Sequence, residues 1–121
     1  ILESTHARRP RDLAFMLALR GELRIAEKKD VSGGLIDLQE AAMLFTKRAV
    51  QSPQEFATQN DYKENISHMA DTLANADMQE KGNEMLHDAI DQLQCIASAE
   101  ELAGRSAWTD ILETLQLQSE N

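Results

Sequence analysis

Apolar residues recur along this chain at three- and four-residue intervals, and no run alternates apolar and polar for long enough to pair two strands. That period gathers side chains on one face of a helix, so the pattern predicts helices joined by short turns. The first is expected from about Pro10, whose fixed φ suits an opening turn and beside which Asp12 meets the positive end of the dipole. Its apolar run, Leu13 to Leu19 followed by Leu23 and Ile25, wraps more than one face and implies neighbours on two sides. Lys28 and Lys29 complement the carboxyl end, and Asp30-Val31-Ser32-Gly33-Gly34 is expected to be a turn.

A second helix is expected over about 35–51. Leu38, Ala41, Ala42, Phe45 and Ala49 form its main stripe, while Ile36, Met43 and Val50 form a thinner one. Ser52-Pro53-Gln54-Glu55 has the form of a capping box and predicts a third helix over about 53–75, with Phe56, Ile66, Met69, Ala70 and Leu73 inward. After a break near 77–82, a fourth helix over about 83–97 carries Met85, Leu86, Ala89, Ile90, Leu93, Ile96 and Ala97. Ser98-Ala99-Glu100-Glu101 resembles a second capping box, opening a fifth helix with Trp108, Ile111, Leu112 and Leu115. Gly104 inside that helix would cost about 1 kcal/mol relative to Ala and marks a bend.

Composition narrows the picture. At 121 residues the chain fits one domain, expected over residues 12–121 behind an N-terminal extension over 1–11. The 42% hydrophobic content is too high for disorder, and the 4% aromatic content suits helices with small-residue contacts better than sheets. An all-α fold follows. The chain starts at Ile1 rather than Met, so it is expected to be a fragment or processed product. Its first residues, Ile1 to His6, lack the charged start and apolar block of a signal peptide, and no run reaches the roughly 18 to 20 apolar residues that cross a bilayer. Cys95 is the single cysteine, so no internal disulfide points to an oxidising compartment, and a cytoplasmic setting is expected.

Charge divides the chain in two. Residues 1–48 hold nine basic and seven acidic side chains, a net of +2, whereas residues 49–121 hold three basic against fourteen acidic, a net of −11. The acidic half would repel phosphate backbones, so no nucleic-acid partner is expected there. It either keeps the protein soluble or faces a basic partner.

A repeat underlies the pattern. Leu38, Ala41, Phe45 and Ala49 match Leu86, Ala89, Leu93 and Ala97 at a constant offset of 48, and Gly34 meets Gly82 at the same offset. Met16, Leu19 and Leu23 fall on Ile66, Met69 and Leu73 at an offset of 50, and Tyr62, Ile66 and Met69 fall on Trp108, Leu112 and Leu115 at 46. The units resemble tetratricopeptide (TPR)-like repeats: a helix A with a large–large–small seam, a turn, and a helix B spaced small–large–small, as in Ala41, Phe45, Ala49. Pro53 stands where such repeats often place proline. The resemblance spans about residues 12–118 and implies antiparallel hairpins stacked as a short TPR-like solenoid; a four- or five-helix bundle is the alternative. The units, at 48 residues, exceed the usual length of about 34, and the helix A tryptophan and glycine signature is incomplete.

In such a stack, helix A residues turned away from helix B line a concave groove. The resemblance therefore nominates Arg20 and Arg24 on the first helix, with Ser67, His68 and Asp71 on the third, as partner-binding residues. Family members that bind peptide carboxylates use lysines and asparagines along this groove; the third helix offers Asn60, Lys63 and Asn65, in no clear match to that arrangement.

The residues supply few chemistries. Cys95, between Leu93 and Ile96, is expected to serve as a small hydrophobe in the core. His87 with Glu84 and Asp91 is the best candidate metal trio, but no histidine pair stands at i, i+4, and a solvated polar face explains it better. Gly33-Gly34 lacks the lysine of a phosphate loop. A small acidic helical domain is also similar to histidine phosphotransfer domains, with His68 as the carrier. That motif, however, puts Lys three residues after the histidine and Gly next, where this chain has Asp71 and Thr72. The expectation is a module that binds another protein or peptide, without enzymatic activity, cofactor, metal or membrane, with dimerisation through the first helix possible.

Overall fold

The computed structural model describes residues 10–120. Among these it contains five helices and no strand: α1 (Pro10–Ala26), α2 (Val31–Gln51), α3 (Phe56–Asn75), α4 (Gln79–Leu102) and α5 (Ala107–Glu120). The expected extension lies outside the described residues except for Pro10 and Arg11, which belong to the first turn of α1.

Three of the helix ends share one device. At the ends of α1, α3 and α4 the chain turns through a left-handed residue, Lys28 (φ 58°), Asp77 (φ 60°) and Gly104 (φ 78°). Around each, the next amide reaches back to the last helical turn: Lys29 N to Arg24 O at 3.3 Å, Met78 N to Leu73 O at 2.8 Å, Arg105 N to Glu100 O at 2.8 Å. Gly104 thus terminates α4 rather than bending α5, because a glycine meets no Cβ penalty at positive φ.

The helix starts also depart from expectation. Asp30 is the N-cap of α2, its carboxylate accepting from Gly33 N at 3.0 Å, so Gly33 and Gly34 are helical and not a turn. Ser52 closes α2 instead of opening α3, and Glu55 caps α3 without a side-chain bond. Ser98 to Glu101 remain inside α4. Glu100 there, buried, caps α5 from a distance by accepting from Trp108 N at 3.0 Å. The turn between α2 and α3 is clamped at the Pro53 carbonyl, which accepts from Gln59 Nε2 and from Trp108 Nε1. Phe56, expected inward, lies exposed at the first turn of α3.

Burial repeats with a single register. Ala14, Ala18, Gly21 and Ile25 on α1 are buried, as are Tyr62, Ile66, Met69 and Leu73 on α3, 48 residues further on. The same offset joins Leu38, Ala41, Phe45 and Ala49 on α2 to Leu86, Ala89, Leu93 and Ala97 on α4, all eight buried. The offset of 50 for α1 is therefore wrong: Met16, Leu19 and Leu23 are 67%, 61% and 50% exposed. The small stripe wins because α2 comes very close. A Cβ on Gly34 would lie 2.9 Å from Gly21 O and 2.8 Å from Ile25 Cγ1, so only a glycine at this crossing lets the two helices meet. At the matching crossing a Cβ on Gly82 would lie 2.9 Å from Ala70 O.

Packing links each helix to those one and two places away in the chain: α1 to α2 and α3, α2 to α3 and α4, α3 to α4 and α5, α4 to α5. Connections of three or four residues bring each helix back beside the last. Tyr62 and Trp108 pack edge to face at 5.6 Å between α3 and α5, and Phe15 and Phe45 do the same at 5.5 Å between α1 and α2.

Candidate functional site

Two carboxylates sit at helix seams with arginines closed around them. Asp37 on α2 accepts from Arg20 Nε and Nη2, both at 2.9 Å, and from Arg24 Nη1 at 3.0 Å. Asp61 on α3 accepts from Arg11 Nε at 2.6 Å and Arg48 Nη1 at 2.8 Å, and Arg48 also donates to Thr58 at 3.1 Å. The hydrogen bond from Arg20, aided by both positive charges, holds the Asp37 carboxyl below its ordinary range despite its burial. Burial pushes Asp61 upward, but the hydrogen bonds from Arg11 and Arg48 outweigh it and hold Asp61 low as well. Burial pushes the Tyr62 hydroxyl up, opposed by its bond with Thr46. These are stitches between helices, with both carboxylates ionised and hydrogen-bonded to arginine.

The five nominated residues fall into three separate contacts. Arg20 and Arg24 both reach across to Asp37 of α2 while their side chains stay 56% and 36% exposed, so they stand at the border between the α1–α2 seam and the outer face of α1. His68, exposed, puts Nδ1 against the Glu22 carboxylate of α1, which Thr72 also contacts at 3.2 Å. Ser67 and Asp71 both accept from Gln118 Nε2 of α5 at 2.9 Å, Ser67 through its carbonyl. The last two contacts fasten α3 to its neighbours α1 and α5. A phosphoryl carrier needs cationic surroundings, and the histidine here has one carboxylate on its ring and another, Asp71, one turn on.

Cys95 is exposed, against expectation. It lies on the side of α4 opposite the buried Leu86, Leu93 and Ala97, since two residues from Leu93 is more than half a turn. His87, Glu84 and Asp91 are exposed, and among the described residues no three histidine, cysteine or acidic side chains gather where a metal could bind. No helix among them is long and apolar enough to cross a membrane.

What the surface does offer is apolar. Leu13, Met16, Leu19 and Leu23 stand out from α1, and Ile36, Met43 and Val50 from α2. Between α2 and α4 runs a groove of about 600 Å³, to which both helices and Ile66 of α3 contribute. The α2 stripe was legible as a second periodicity; the groove was not, because it forms between helices that are far apart in the chain and come together only on folding. Comparisons of the chain with protein-family models, curated proteins and solved structures return no match.

Proposed function

We propose that the chain is a TPR-like helical-repeat module, non-enzymatic and cytoplasmic, that binds another protein through a peptide or helical segment. The register of 48 residues shared by both hairpins, with small residues at matched crossings, supports the repeat. The observation that carries the binding role is the face of α1. Met16, Leu19 and Leu23 follow the three-and-four spacing of a helix-packing seam, yet all three are at least half exposed. A folded chain that has satisfied its core leaves such a stripe bare only at some cost in solubility, which a partner relieves. Arg20, between Met16 and Leu23 on the helix surface, borders this face, and Arg24 lies one turn further on. Ser67, His68 and Asp71 extend the polar rim along α3. An upstream repeat or a second copy of the chain would cover the face in the same way.

Selection from a library of helical and extended peptides against the purified chain tests the reading. Recovery of saturable binders is the expected result. No binder of any kind, together with a monomer by light scattering at high concentration, would overturn it. So would an acid-labile mass gain on His68 after incubation with a phosphodonor.

A further inference from the structure

We infer that the groove between α2 and α4 is a docking site for an amphipathic helix whose apolar stripe is flanked by basic residues. This rests on the module reading above and assigns it a surface and a partner chemistry.

The floor of the groove is apolar: Leu35 and Ala42 of α2, Met85 and Ala89 of α4, and Ile66 of α3 between them. Ala42 and Ala89 are small where a larger residue would have filled the gap, and the flexible Met43 and Met85 fit irregular partners. On the α2 side Met43, 72% exposed, forms the lip, and Leu35, Gln39, Ala42 and Thr46 line the wall at spacings of four, three and four. The lined stretch of α2, from Leu35 to Lys47, extends about 18 Å, a little under two heptads of a partner.

A helix is the occupant that this surface suits. Both walls are helices, whose backbone groups are already bonded, so an extended peptide would find no edge to pair with. Affinity must come from side chains, and anchors at i, i+3, i+4 and i+7 match a wall with a seven-residue rhythm.

Charge selects the partner's flank. Glu80, Glu84, Asp88 and Asp91 occupy one exposed face of α4 at spacings of four, four and three, and Glu84 and Asp88 line the groove itself. Lys81 approaches Glu84 at 3.6 Å, an exposed pair of little worth, and no ion pair joins Asp88 or Asp91 among the described residues. A row of Lys or Arg on the partner would neutralise this lip, while Lys47 on the α2 side disfavours basic residues on the other flank.

The test uses the full chain, labelled for amide NMR, and two synthetic helical peptides about two heptads long. Both carry Leu at the seam; one has Lys along a single flank, the other Glu in its place. The basic peptide should bind with shifts centred on Met43 and Asp88. Met43→Asp and Asp88→Lys, both at exposed positions, should each weaken it at least tenfold, and Glu113→Lys on α5 should leave it unchanged. Equal binding of the Glu peptide, an equal effect of Glu113→Lys, or shifts confined to α1, α3 and α5 would overturn the groove assignment. The last outcome would leave the module reading standing, whereas an empty library selection would remove that reading itself.

Discussion

The hairpin of α1 and α2 and the hairpin of α3 and α4 bury the same positions, 48 residues apart, and face solvent in opposite manners. The first exposes large apolar side chains, Met16, Leu19 and Leu23; the positions 48 residues on carry Glu64, Ser67 and Asp71. The first closes its crossing with two glycines, Gly21 against Gly34, the second with Ala70 against Gly82. Interior spacing is thus held constant while the outer face is free to change. The core of such a unit needs only a period and a few small residues, and the outer positions decide what the unit can meet.

The largest test of the shared core compares matched positions. Phe45→Ala and Leu93→Ala should cost about 3–5 and 2–5 kcal/mol in urea unfolding, because both side chains are fully buried. A much smaller loss in either hairpin would break the equivalence.

The ionic stitches come next. Asp61→Asn should cost about 2 kcal/mol, since it leaves Arg48, largely buried, without its carboxylate. Asp37→Asn should cost less, its arginines being more exposed. Both carboxyls titrate below their ordinary value of 3.8 when folded, so their contribution is complete above that value and is lost as pH falls beneath it. Acid unfolding followed by circular dichroism should therefore shift upward in midpoint pH if ion pairing is screened, and Asp61→Asn should flatten the transition.

A finer contrast separates Ala41 from Ala89. Leucine at Ala41, sealed between helices, should cost about 1–3 kcal/mol in thermal unfolding. Leucine at Ala89 can lean into the groove and should cost below about 1 kcal/mol. It should also obstruct a docked helix.

The smallest effect on stability is expected on the open face. Leu19→Lys with Leu23→Lys should change stability by less than about 0.5 kcal/mol per site while abolishing any self-association seen by light scattering.

Much of this was legible in the residues. Helical period is local, so the existence of the helices and the stripe of α2 with its counterpart on α4 could be read without knowing the fold. The large stripe of α1 misled for the same reason, since periodicity shows that a face is apolar but not that anything covers it. Ala14, Ala18 and Gly21 are buried instead because another helix, brought round by a left-handed turn at Lys28, approaches too closely for larger side chains. The signal for that was the pairing of Gly21 with Gly34, which means little until the two are known to cross. Likewise Ser52 and Ser98 carry capping spacing, yet the helices start elsewhere, because Glu100 and the Pro53 carbonyl find partners on other elements. Spacing along one helix follows from backbone geometry alone; which of its faces is dry depends on distances between segments far apart in the chain, and those come into being only on folding.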